Sequence, residues 1–168
     1  MLLPWPNIVM QRQVSEVSEM SVIEAVRGFI QDNCPFLEDF NALFPVINLD
    51  KLEENAPAYS IESVPSDPIV KRYVNGDSIR KLTFYLCSRN LYDVQKNVDT
   101  SEFYEQFSEW LEECNEEKKL PNLDNGKMAI KFIANTDGYV NDTAGTYAQY
   151  QIQCELRYFK PRRQGNEK

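Results

Sequence analysis

PIVKRYVNGDSIRKLTFYLCSRNL, Pro68 to Leu91, reads as two extended segments meeting at Asn75-Gly76. Asn-Gly suits the positive φ angles of a two-residue hairpin turn, so a tight antiparallel pair is predicted. Pairing across that turn sets Val74 opposite Asp77 and Ile69 opposite Leu82. Leu82, Phe84 and Leu86 then share one face, and Lys81, Thr83 and Tyr85 the other, because successive strand residues point to opposite sides. A long, half-buried strand of this kind needs a partner sheet and a covering layer.

Both are predicted downstream. Phe103, Phe107, Trp110, Leu111 and Cys114 recur at helical spacing, while Glu102, Glu105, Glu109, Glu112 and Glu113 fill the remaining positions. That pattern is an amphipathic helix with an acidic outer face, capped by Asp99 with Glu102. Met128, Ile130, Phe132 and Ala134 alternate with Ala129, Lys131, Ile133 and Asn135 as a further strand, and Asp137-Gly138 turns the chain. Tyr147–Phe159 alternates cleanly: Ala148, Tyr150, Ile152, Cys154, Leu156 and Tyr158 on one face, Gln149, Gln151, Gln153, Glu155 and Arg157 on the other. One apolar face and one wet, amide-rich face predict a sheet covered by helices on one side only.

Upstream, Ser21 and Glu24 form a capping box for a helix over Val22–Asn33, stopped by Pro35. Phe36–Phe44 reads as a short helix or buried loop, Val46–Leu49 as a brief strand, and Ala58–Val64 as extended with Tyr59 and Ile61 on one side. The expected fold class is α+β, an antiparallel or mixed sheet with two main helices on one face. The expected organisation is a flexible extension over residues 1–20, a single domain over 21–160 and a frayed tail over 161–168.

Composition narrows the function. The 168 residues suffice for one domain with its own core, and 12% aromatic content argues against disorder. Acids outnumber bases 26 to 18, for a net charge of −8, which disfavours the phosphate backbone of nucleic acid as a tight partner. Along the sequence the bases form no stripe; Lys160, Arg162 and Arg163 are the densest group. The opening MLLPWPNIVM lacks a basic segment and is broken by Pro4 and Pro6, so it does not read as a signal peptide. No apolar run is long enough for a transmembrane helix.

Histidine is absent, and Cys34, Cys87, Cys114 and Cys154 form no C-x-x-C pair, so neither a zinc site nor a disulfide framework is expected. Cys87, Cys114 and Cys154 read as reduced core thiols. The chain contains no G-x-S-x-G, Walker A or G-x-G-x-x-G motif. An enzyme is not expected: catalytic residues none, metal none, cofactors none. The amide face of the last strand makes Gln149, Gln151 and Gln153 candidates for a subunit contact, against the alternative of an ordinary solvated face.

PIVKRYVNGDSIRKLTFYLCSRNLY, followed by SEFYEQFSEWLEE, LPNL and GYVNDTAGTYAQYQIQCELRYF, resembles the minor capsid proteins of the siphophage tail-terminator family, over about residues 20–160. The resemblance rests on Lys71-Arg72-Tyr73 leading to Asn75-Gly76-Asp77, on Phe103-Tyr104 to Trp110-Leu111-Glu112, and on Tyr150 to Cys154. It departs at Ala148, where the family pattern would carry a basic residue. The resemblance implies a structural assembly protein of a phage or prophage at the head–tail junction of the virion, made in the host cytoplasm. It implies self-association into a ring (hexameric, or monomeric when isolated), with the tail tube and head connector proteins as partners. Neither sequence-specific nucleic acid nor membrane is an implied partner. Lys71, Arg72 and Tyr73 join the three glutamines as candidate interface residues. The alternatives are a head-closure or connector protein, and a monomeric regulatory or host-interaction module.

Overall fold

Ser78–Leu91 and Tyr147–Lys160 pair antiparallel along their full length, with Ser78 opposite Lys160 and Leu91 opposite Tyr147. These two 14-residue strands are the axis of the molecule. The computed structural model describes residues 19–35, 37, 46–52, 58–91, 94–144 and 146–163. In chain order its elements are α1 (Val22–Asn33), β1 (Ile47–Leu49), β2 (Ala58–Ser63), β3 (Ile69–Arg72), β4 (Ser78–Leu91), α2 (Val94–Glu116), β5 (Met128–Ala134), β6 (Tyr139–Ala144) and β7 (Tyr147–Lys160). The fold is α+β, a mixed seven-stranded sheet in the order β1-β2-β4-β7-β5. β2 and β3 share the outer edge of β4, and β5 and β6 share that of β7. β1 and β2 run parallel, which makes the sheet mixed.

Period-two alternation places Phe84, Leu86, Ile152, Cys154 and Leu156 on the face toward α1 and α2, all fully buried. Tyr59 and Ile61 of β2 and Phe132 of β5 extend that face. Helix α1 has the predicted capping box: Ser21 Oγ accepts from the Glu24 amide, and the Glu24 carboxylate accepts from the Ser21 amide. From α1, Phe29 stacks on Trp110 of α2 and on Phe132, both at 5.8 Å. Tyr104, Phe107 and Leu111 seal the layer; burial of each side chain of this size contributes about 1.5–3 kcal/mol.

Four sequence expectations are corrected. The hairpin loop has three residues, not two: Gly76 N–H donates to Tyr73 O, Tyr73 N–H donates to Asp77 O, and Gly76 takes φ +93°. The left-handed glycine in the third loop position shifts the register by one residue and a bulge at Val70 by one more, so Ile69 faces Arg80 rather than Leu82. Helix α2 begins at Val94, upstream of the proposed Asp99 cap, because no Gly or Pro interrupts residues 94–101. In β5 a bulge at Ile130 reverses the alternation: Ala129 packs toward the core, while Met128 and Ile130 are exposed. Tyr139–Ala144, read only as following a turn, is a strand on β7.

Similar register shifts occur at Val70 in β3 and Asn141 in β6. Bulges in three of the short outer strands twist them away from flat edge-to-edge pairing. The β5 edge is also capped from within: Asn115 Nδ2 donates to Phe132 O at 2.8 Å, and Phe132 N–H donates to Asn115 Oδ1 at 2.7 Å. Among the described residues no helix is long and apolar enough to cross a membrane. The reading of Phe36–Phe44, save Leu37, and of residues 1–18 and 164–168 lies outside the described residues.

Candidate functional site

The candidate residues fall into two groups, one at an end of the central strands and one from their middle toward the other end. Arg72 faces Ser78 at the start of β4, whereas Gln153, Gln151 and Gln149 face Tyr85, Cys87 and Arg89. At about 3.3 Å per residue these groups stand roughly 20–35 Å apart. They do not form one site.

The glutamine group lies on the helix-free face, as expected, but that face is not freely wet. Gln151 is only 6% exposed, and Gln149 and Gln153 are half-buried. Gln151 Nε2 donates to the Tyr139 hydroxyl, which also bonds Tyr85. Strand β6 supplies this contact, pairing Tyr139 with Gln151 and Asp142 with Gln149. Ser60 donates to Glu62 at 2.9 Å, and the Cys87 thiol lies within hydrogen-bond reach of Ser60, Glu62 and Gln149. Cys87 is therefore a buried thiol among polar groups, not a member of the helix-covered core as the sequence suggested; Cys34, Cys114 and Cys154 are in that core.

Burial, with Glu62 adding to it, pushes the Cys87 thiol up to about 12. A thiol so held keeps its proton near neutral pH and is a poor nucleophile. Further along this face, the buried Glu155 carboxylate meets Arg157 at 2.7 Å and Lys81 at 3.9 Å. These are internal networks that order a sheet face. Among the described residues no three His, Cys, Asp or Glu side chains are placed to hold a metal ion.

The other group lies where the sequence reading missed a surface. Lys71 and Arg72 end β3, Arg80 lies near the start of β4, Lys127 precedes β5, and Lys160 ends β7 shortly before Arg163. The sheet order brings these positions to one end, spanning three inter-strand steps, roughly 14 Å. The Lys160 ammonium is held below its ordinary value, first by Arg80, then by burial, then by Arg163 and Lys127. Among the described residues the ion pairs are those of Glu155 and Lys119–Glu117, so no cation of this cluster is in one. The carboxylates nearby are occupied by backbone: Asp67 by Ile69 N–H, Asp77 by Arg162 N–H, and Asp124 by Met20 N–H.

The same end carries exposed apolar groups. Tyr73 and Val74 project from the hairpin loop, with Lys71 Nζ 4.9 Å from the Tyr73 ring centroid. Met128 and Ile130 border an open groove of about 550 Å³ with Leu120, Leu123, Phe159 and Lys127. The signal available in sequence was a basic residue at the terminus of nearly every strand of this end.

Comparison with protein families and with curated proteins returns no match. The fold defines an α+β protein with a basic, partly apolar sheet end and an acidic helix face.

Proposed function

We propose that this protein is a structural virion-assembly subunit of a phage or prophage: a tail terminator whose ring caps the tail tube and joins it to the head connector. The observation that carries the reading is the sheet end itself. Unpaired cations and projecting apolar side chains, Tyr73 and Val74 foremost, gather there in a chain of net charge −8. Aromatic and arginine side chains around an apolar patch are the composition of protein contact surfaces. The segments that carry the family resemblance supply part of this end, with Lys71, Arg72, Tyr73, Val74 and Arg80, and its support in β4, α2, β6 and β7. Ala148, the departure from the family pattern, is buried in the core, where a basic side chain would have no room.

The test is solution mass by light scattering, alone and with the tail tube protein encoded nearby. A ring of about six subunits, or a defined cap on tube ends, is expected. A monomer indifferent to the tube overturns the terminator reading and turns attention to head closure or to a role outside the virion.

A further inference from the structure

The glutamates of α2 define a second charged surface. Glu102, Glu105, Glu109, Glu112, Glu113 and Glu116 are all exposed. At 100° per residue they fall within an arc of about 100°, and along the axis they extend roughly 21 Å. This ridge lies on the outer side of the helix, opposite Tyr104, Phe107, Trp110 and Leu111. A ridge of one sign and a sheet end rich in the other, whose cations are in no ion pair among the described residues, occur on the same molecule.

We infer that the basic sheet end of one copy receives the glutamate ridge of α2 from the next copy. This rests on the assembly reading above and names the surfaces that reading leaves open. The occupant is set by charge complementarity. Two different patches of one chain meet head to tail, so the contact is heterologous, and such contacts propagate into a ring when the rotation closes. It also explains why the outer strands do not offer flat edges: with bulges at Val70, Ile130 and Asn141, end-to-helix docking replaces edge pairing. The apolar groups Tyr73, Val74 and Met128 sit around the cations, where they would exclude water from the contact.

The experiment uses the full chain with two charge-reversal variants at exposed positions, Arg72→Glu/Arg163→Glu and Glu109→Lys/Glu112→Lys. Circular dichroism and melting establish that both fold. For the wild type, association measured by sedimentation should weaken at least about tenfold as salt rises from about 0.05 to 0.5 M. Each variant alone should remain monomeric, and mixing them should restore association, since the intact ridge of one meets the intact basic end of the other and the two reversed surfaces are again opposite in charge. Association that ignores salt, that survives in either variant, or that mixing fails to restore overturns the inference. So does a wild type that stays monomeric at low salt. Random-sequence duplex DNA bound by the wild type and not by Arg72→Glu/Arg163→Glu, without self-association, reassigns the basic end to phosphate backbone. Tube-end capping, assayed separately, tells whether the assembly reading survives any of these failures.

Discussion

Gly138 lies against the ring of Tyr104 so closely that a Cβ built on it would stand 2.4 Å from the Tyr104 Cβ. Tyr104 cannot withdraw freely. Its hydroxyl donates to Tyr150 O at 3.1 Å and bonds Ser88 Oγ at 2.8 Å, tying α2 to both central strands. Gly138→Ala should therefore cost about 1–3 kcal/mol of stability, the usual range for forced overpacking. Urea unfolding gives the value, and in a Tyr104→Gly background the penalty should shrink, since both the clashing Cβ and the ring are gone. An unchanged penalty there would mean that the glycine serves its own backbone instead.

Trp110 joins the two helices: it is 8% exposed, stacked on Phe29 at 5.8 Å and packed on Phe107 at 5.7 Å. Trp110→Ala should cost roughly 3–5 kcal/mol, a loss of transfer energy plus a cavity. Retention of wild-type stability in chemical denaturation would contradict this packing.

Asn115 imitates a neighbouring strand for Phe132, supplying one acceptor and one donor. Asn115→Leu keeps the bulk but strands both backbone groups, at a cost of about 1–3 kcal/mol. Hydrogen exchange should register the change locally, with the Phe132 amide losing protection before its neighbours in β7.

Alkaline pH should weaken the fold through its thiols. Burial raises Cys87 to about 12 and pushes Cys154 up as well. With folded values above the unfolded one of about 8.5, the native state holds protons that the unfolded state releases. Stability is therefore complete below that pH and falls as pH rises through the window up to about 12. Cys87→Ala should flatten the alkaline slope in pH-dependent melting. At pH 8 all four buried thiols should resist a disulfide reagent until the protein is unfolded.

Much of this architecture was legible in the chain because it depends on local periodicity. The capping box at Ser21 and Glu24, the alternation along Tyr147–Lys160 and the helical stripe from Phe103 to Cys114 each report which side of an element is apolar, and that reappears directly as the buried face. What escaped did so for local reasons of a different kind. A single left-handed glycine at Gly76 shifted a register, one extra residue at Ile130 reversed a face, and the polar strand Tyr139–Ala144 carries too little apolar signal to be seen.

The candidate site divides in the same way. Lys71, Arg72 and Tyr73 were put forward through the family resemblance, whereas Arg80, Lys127, Lys160 and Arg163 lie at the same sheet end but far apart along the chain. By itself the sequence determined the α+β class, the one-sided helical cover and the acidic face of α2, since hydrophobic period and helix spacing are properties of neighbours. Only the tertiary structure decided that the cations meet at one end, that Gln151 is tied to Tyr139 and that Cys87 sits among polar groups. Strand order and register bring distant residues together, and no local pattern encodes them.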